Sequence, residues 1–93
     1  MGYAKRTDRN HAVVRDALRQ AGWFVKDCSA IGGGWPDLFA AKPGRCLLVE
    51  VKDGAKSASR RQLTAAQVQL HKELAAAGFP VVILTSVDQV GEL

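Results

Sequence analysis

The chain has 93 residues, of which 47% are hydrophobic, and its 13 Lys+Arg against 9 Asp+Glu give a net charge of +4. This apolar fraction excludes a disordered chain, and the length excludes two independent cores, since natural domains cluster at ~100–150 residues. The longest apolar stretches are far shorter than the ~20 residues of a membrane span, and no apolar segment of the kind found in a secretory signal follows the basic N-terminus. We therefore expect one cytoplasmic domain over residues 1–93, with no membrane contact.

The first predicted element is a helix over Asp8–Ala21. Thr7 is a suitable N-cap, apolar residues recur every three to four positions, and Gly22 follows the predicted end. The β-prone run Trp23–Cys28 then predicts the first strand. Three consecutive glycines, Gly32–Gly34, interrupt regular structure, either to let the chain pass close to a phosphate backbone or to permit a turn.

A β-hairpin is predicted next, with strands Pro36–Ala41 and Cys46–Asp53 on either side of the turn Lys42–Arg45. Pro at the second turn position and Gly at the third suit a type II turn. The antiparallel register set by this turn places Asp37 opposite Glu50. A bulge or a slip by one residue would change that pairing.

The second helix is predicted to open at Leu63 and Thr64, after a small, polar and basic loop over residues 54–62. Leu70, Leu74 and Ala77 supply its apolar stripe, and a glycine again stands at its end.

The last strand, Val81–Thr85, is a continuous apolar run, which is typical of a strand covered on both faces. The tail, Asp88–Leu93, is expected to form a short turn of helix. The resulting order is α-β-β-β-α-β, an α/β fold without internal repeats.

A carboxylate pair and a lysine are predicted to meet on one face of the hairpin. Strand alternation places Glu50 and Lys52 on that face, with Asp37 across the hairpin. Facing carboxylates repel, so we expect a cation between them, and a divalent metal fills that role better than one lysine. Mg²⁺ binds one or two carboxylates together with phosphate oxygens, and a bound metal ion lowers the pKa of its water. These residue types indicate phosphodiester hydrolysis, although each motif alone is commonly a solvated salt bridge or a turn.

Trp35-Pro36-Asp37-Leu38 together with Glu50-Val51-Lys52 resembles the PD-(D/E)XK nuclease superfamily. The longer blocks GGGWPDL, LLVEVKDGAK and LTAAQ are similar to the VRR-NUC (virus-type replication-repair nuclease) domain, in the small stand-alone form of phages and bacteria. The resemblance covers nearly the whole chain. It implies a restriction-endonuclease-like α-β-β-β-α-β core with a mixed central sheet, in the cytoplasm of a bacterial or phage-infected cell.

The resemblance also implies roles for individual residues. Asp37 and Glu50 would bind Mg²⁺ or Mn²⁺, the carbonyl of Val51 would complete the coordination, and Lys52 would orient the attacking water. Gln67 matches a glutamine that begins the second helix of the family and assists at the active site. The sequence around it is equally a capping box, in which Gln67 bonds the helix N-cap, and the two roles are compatible.

The first helix departs from the family's pattern. Related nucleases often place an acidic residue there near the metals, whereas this chain offers Asn10 and His11, and Asp16 projects away from the apolar stripe. A second metal would therefore lack this ligand. His11 is a candidate for binding metal or phosphate, and the alternative is a solvated helix-start histidine.

The predicted partner is DNA, because a polyanion must approach a site that already holds two carboxylates, and compensating cations are present. The candidate nucleic-acid contacts are the basic residues near the N-terminus and in the loop after the hairpin, namely Lys5, Arg6, Arg9, Lys56, Arg60 and Arg61. They show no base-reading pattern, so we expect recognition of DNA shape.

The resemblance implies a metal-dependent, structure-selective DNA endonuclease that acts as a homodimer on branched DNA such as four-way (Holliday) junctions. A chain of 93 residues has little surface to embrace such a substrate alone, which also favours two copies. The alternative is a non-catalytic nucleic-acid-binding module in which the Asp/Glu/Lys cluster is structural.

Overall fold

A mixed four-stranded sheet, in the order β1-β2-β3-β4, organises the molecule. The computed structural model describes residues 9–53 and 63–93. Helices and strands follow the predicted order α-β-β-β-α-β. Their bounds are α1 Arg9–Gln20, β1 Phe24–Asp27, β2 Leu38–Lys42, β3 Arg45–Val51, α2 Ala65–Ala76, β4 Val81–Leu84 and a closing 3₁₀ helix Val87–Glu92. No helix of the described ranges is long and apolar enough to cross a bilayer.

The hairpin forms in the predicted register. Lys42 pairs with Arg45 and Leu38 pairs with Val49, without a bulge. The turn between the strands has Gly44 at φ +78°, the left-handed region that a type II turn requires at its third position. Continued by one residue, this register sets Asp37 opposite Glu50. β4 then pairs with β3 in parallel, which makes the sheet mixed.

The apolar core lies between α1 and one face of the sheet. Val14 and Leu18 of α1 are fully buried there against the same sheet face as Val49 and Val51. Each buried aliphatic side chain of this kind contributes about 1.5–3 kcal/mol to folding. Because side chains alternate along a strand, Glu50 points to the opposite face, the one on which α2 lies.

The α2 side of the sheet is covered less completely than the sequence predicts. On α2 itself Leu70 and Leu74 are half-buried, Ala77 is exposed, and Gln67 is the buried residue. Ile83 of β4 is 43% exposed, so the prediction that this strand is covered on both faces is wrong. Ile83 pairs with Glu50 and shares its face, where α2 packs a polar cluster against the sheet and not a continuous apolar layer.

The glycine-rich loop lies close to the backbone at the start of α2. At Gly34 φ is +85°, and a Cβ there would lie 2.6 Å from the carbonyl carbon and oxygen of Ala66 and 2.9 Å from the amide nitrogen of Gln67. Only glycine fits, because any side chain would collide with the first turn of α2. The loop therefore sets how closely the start of α2 can lie against it.

Replacing Gly34 tests whether its contact with α2 stabilises the fold in addition to the turn conformation of the loop. Gly34→Ala is expected to lower the free energy of unfolding by about 3 kcal/mol or more, the sum of a left-handed alanine and a backbone collision. Gly33→Ala is the matched control, because Gly33 has φ +65° but open space around its Cβ position. It should cost only about 1–2 kcal/mol. Equal losses in urea unfolding would contradict the proposed contact.

Candidate active site

The site lies where β3 ends beside the start of β2. Asp37 directly precedes β2 and Lys52 directly follows β3, so both observed strands are shorter than the predicted ones. The backbone N–H of Lys52 nevertheless donates to the carbonyl of Leu84 at 2.9 Å, which continues the pairing with β4 by one residue. Asp37, Glu50 and Lys52 thus come from adjoining backbone segments at one end of the sheet.

The Glu50 carboxylate is buried at the centre of this cluster. The residue is only 1% exposed, and its Oε2 atom accepts a hydrogen bond of 3.1 Å from Nε2 of Gln67. Removing a carboxylate from water is costly unless polar partners replace the lost hydration. An aliphatic residue at this position of the sheet would fold without that cost, which makes Glu50 a candidate functional residue.

Gln67 joins the acidic and basic members of the site. Its Oε1 atom accepts hydrogen bonds from Nζ of Lys52 at 3.1 Å and from the backbone N–H of Thr64 at 2.9 Å. The Thr64 hydroxyl in turn accepts from the backbone N–H of Gln67 at 3.1 Å, which completes the predicted capping box. The capping role and the contact with the site coexist because an amide oxygen accepts two hydrogen bonds while its nitrogen donates others.

Asp37 is fixed by the backbone around it. Its Oδ2 atom accepts from the N–H of Val51 at 2.9 Å, and its backbone carbonyl accepts from the N–H of Cys28 at 2.7 Å. The side chain is therefore held against the end of β3 beside Glu50. Val51, the predicted carbonyl ligand, directly follows Glu50 in the chain. Its N–H donates to Asp37, so Val51 adjoins both acidic residues.

These donors fit a hard divalent ion such as Mg²⁺. Mg²⁺ prefers carboxylate oxygen and keeps several water molecules, so Asp37 and Glu50 supply enough protein ligands. Within residues 9–53 and 63–93, no group of three His, Cys, Asp or Glu side chains forms a ready cage. The donor set suits an ion that also binds water and phosphate, and does not suit a closed structural site of the zinc type.

His71 is a neighbour of the site, and in the sequence it is a weaker candidate than His11 for binding metal or phosphate. Its Nε2 atom lies 3.7 Å from Oε1 of Glu50. Burial and, second, the positive charge of Lys52 lower the pKa of His71, which favours the neutral imidazole. The signal that was available is spacing, since His71 follows Gln67 by four residues and therefore shares its face of the helix.

Comparison with known proteins agrees with this geometry. A solved structure described as a VRR_NUC domain is similar to this chain with a TM-score of 0.69 and 26% sequence identity, and the match covers 92% of this chain and 95% of that one. No family model and no curated protein matches the sequence. The chain has the fold of a VRR-NUC domain. This match supports a nuclease-type function, and the PD-(D/E)XK superfamily is consistent with it.

The first helix of this VRR-NUC fold contributes Asn10 through its amide. Nδ2 of Asn10 donates to the backbone carbonyls of Lys52 and Thr85, both at 3.0 Å. The residue thereby ties α1 to the ends of β3 and β4 and holds the backbone of Lys52. This is a positioning contact, and it explains why a neutral amide can occupy this part of the helix.

His11 is buried on the α1 side of the sheet. It is only 4% exposed, and Nε2 shares a hydrogen bond of 3.1 Å with Oδ2 of Asp27. The interpretation of His11 as a solvated helix-start residue is therefore wrong, because Asp27 supplies a partner inside the fold. Among the described residues, Asp27 also accepts from the backbone N–H and the hydroxyl of Ser29, at 2.9 Å and 2.7 Å.

The Asp27 cluster predicts a pH dependence of stability. Partial burial raises the pKa of Asp27, but the hydrogen bonds from Ser29 and His11 outweigh it and lower the pKa from 3.8 to about 2. A depressed folded-state pKa stabilises the protein above pH 3.8, and this contribution is lost as the pH falls toward about 2. In chemical unfolding, Asp27→Asn should flatten the decline in stability over this interval. An unchanged slope would contradict the role of Asp27.

Most of the predicted nucleic-acid contacts lie outside the described residues, namely Lys5, Arg6, Lys56, Arg60 and Arg61. Arg9 opens α1, and its side chain also lies outside the described part. Their contact with DNA stays a prediction.

The two roles of Gln67 can be separated by mutation. Gln67→Ala removes the capping partner and the link between Glu50 and Lys52, so nuclease activity should fall about tenfold or more. Thr64→Ala is the matched control, because it removes the hydroxyl that accepts from Gln67 but leaves both site contacts. It should cost about 1 kcal/mol in thermal unfolding and leave cleavage unchanged. Equal loss of cleavage in both variants would reduce Gln67 to a helix cap.

Proposed function

We propose that this protein is a metal-dependent, structure-selective DNA endonuclease that hydrolyses phosphodiester bonds in branched DNA such as four-way junctions. The observation that carries the proposal is the contact chain from the buried Glu50 carboxylate through Gln67 to the Lys52 ammonium. It lies beside Asp37 in a VRR-NUC fold, for which a nuclease-type function is supported.

In this proposal Asp37, Glu50 and the carbonyl of Val51 would hold Mg²⁺ or Mn²⁺. When bound, the ion neutralises charge on the phosphate and lowers the pKa of a water molecule. Lys52 orients the attacking water, since among the described residues its ammonium group donates to Gln67 alone and keeps two N–H donors for water and phosphate. Asn10 supports this orientation from the backbone side of Lys52.

The proposed substrate is DNA that the protein recognises by its shape. A polyanion approaching two carboxylates needs compensating positive charge, which the net charge of +4 and the basic N-terminal and post-hairpin segments supply. A homodimer would bring one active site to each of two symmetric strands of a junction.

The test is a cleavage panel with labelled four-way junctions, flaps and linear duplex, with and without Mg²⁺ or Mn²⁺. Wild type should cut branched DNA only with metal. Asp37→Asn should abolish cleavage yet fold normally, because the asparagine oxygen still accepts from the N–H of Val51. Lys52→Ala should bind metal in calorimetry but lose about 10²-fold or more in turnover. Lys72→Ala, which removes an exposed lysine of α2, is the matched control.

The same panel distinguishes the proposed nuclease from the alternative interpretation. DNA binding without cleavage under every metal condition would make the protein a non-catalytic nucleic-acid-binding module. Equal cleavage of linear and branched DNA would refute structure selectivity. A monomer in size-exclusion chromatography that still cuts both strands of a junction would refute the dimer.

A further inference from the structure

His71 occupies a position beside Glu50 that neither capping nor packing explains. Its Nε2 atom is buried and has no hydrogen-bond partner within the described part of the chain, and its side chain is only 13% exposed. A buried ring nitrogen without a partner is costly, so its position needs a reason. Leu70 and Leu74, on neighbouring turns of α2, are apolar and half-buried, whereas this position carries a potential ligand.

The distance between His71 and Glu50 suits a shared ion better than a hydrogen bond. Nε2 of His71 and Oε1 of Glu50 are 3.7 Å apart, which is too far for a hydrogen bond. Two atoms that bind one ion at about 2.1 Å each are separated by roughly 3.0 Å at a right angle and roughly 4.2 Å when opposite. The observed separation lies between these limits.

Contacts at the start of helix α2 fix the position of the His71 ring. Gln67, one turn earlier on the same face, is anchored by the capping box and by its bond to Glu50. Gly34 packs against the same first turn and holds the helix start in place. The ring of His71 is therefore placed by contacts that the rest of the site already needs.

We infer that His71 is a further ligand of the metal ion in this site, with its Nε2 atom joining the Glu50 carboxylate. The inference rests on the proposed function, because it requires the metal. An imidazole nitrogen adds a donor that Mg²⁺ accepts poorly and that divalent transition ions accept well. A mixed nitrogen and oxygen donor set would therefore favour Mn²⁺ or Co²⁺ over Mg²⁺ and would leave room for water and phosphate.

The experiment compares metal binding by wild type, His71→Gln and His71→Leu in calorimetry, with Mn²⁺ and Mg²⁺ as separate titrants at one pH. Both variants should bind Mn²⁺ about tenfold more weakly and Mg²⁺ within about twofold of wild type. His11→Gln is the matched control, because it removes the other buried imidazole, on the α1 side of the sheet. It should leave the ratio of the two affinities unchanged. Circular dichroism checks that each variant is folded.

A spectroscopic measurement on the wild-type protein decides the question without any variant. Pulsed electron paramagnetic resonance of bound Mn²⁺ should show coupling to an imidazole ¹⁴N nucleus. Absence of that coupling, or an unchanged Mn²⁺ to Mg²⁺ affinity ratio in folded His71 variants, would overturn the inference and leave the proposed nuclease intact. Failure of wild type to bind either ion would overturn both this inference and the metal dependence proposed above.

Discussion

The hydrogen bonds made by the Gln67 amide are the interaction on which the site depends. A carboxylate as deeply buried as Glu50 is stable only where polar groups replace its hydration, and the Gln67 amide supplies one of them. The same amide accepts from the Lys52 ammonium and from the N-cap backbone of α2. Helix capping and assembly of the candidate site therefore share one side chain, so a change at Gln67 itself is expected to alter both stability and chemistry.

One face of the sheet carries the apolar core, and the opposite face carries the polar cluster of the candidate site. The α1 face buries aliphatic side chains such as Leu18 and Val49, which stabilise the fold. The α2 face accepts a buried carboxylate and leaves Ile83 partly exposed, which weakens packing there. Because the faces alternate residue by residue along β3, the apolar support lies directly beneath the polar cluster. Such rigid support fixes the positions of the side chains in the candidate site.

Local rules account for the parts of the fold and site that could be predicted. A Pro-Gly turn sets the register of its own hairpin, which was enough to place Asp37 opposite Glu50. A threonine followed three residues later by a glutamine forms a capping box within one turn, which was enough to locate Gln67. The strand ends were predicted less well. Hydrophobic pattern continues past the last paired residue, and pairing with a partner strand decides where a strand ends.

The amino-acid sequence by itself determined the order of elements, the hairpin register and the residue types of the candidate site, because each follows from contacts between near neighbours in the chain. Only the tertiary structure decided that Gly34 packs on the backbone of α2, that Asn10 holds the carbonyl of Lys52, and that His71 lies beside Glu50. These contacts join segments between 21 and 42 residues apart. Helical spacing places His71 on the same face as Gln67, but these distances themselves arise only when the helices pack onto the sheet.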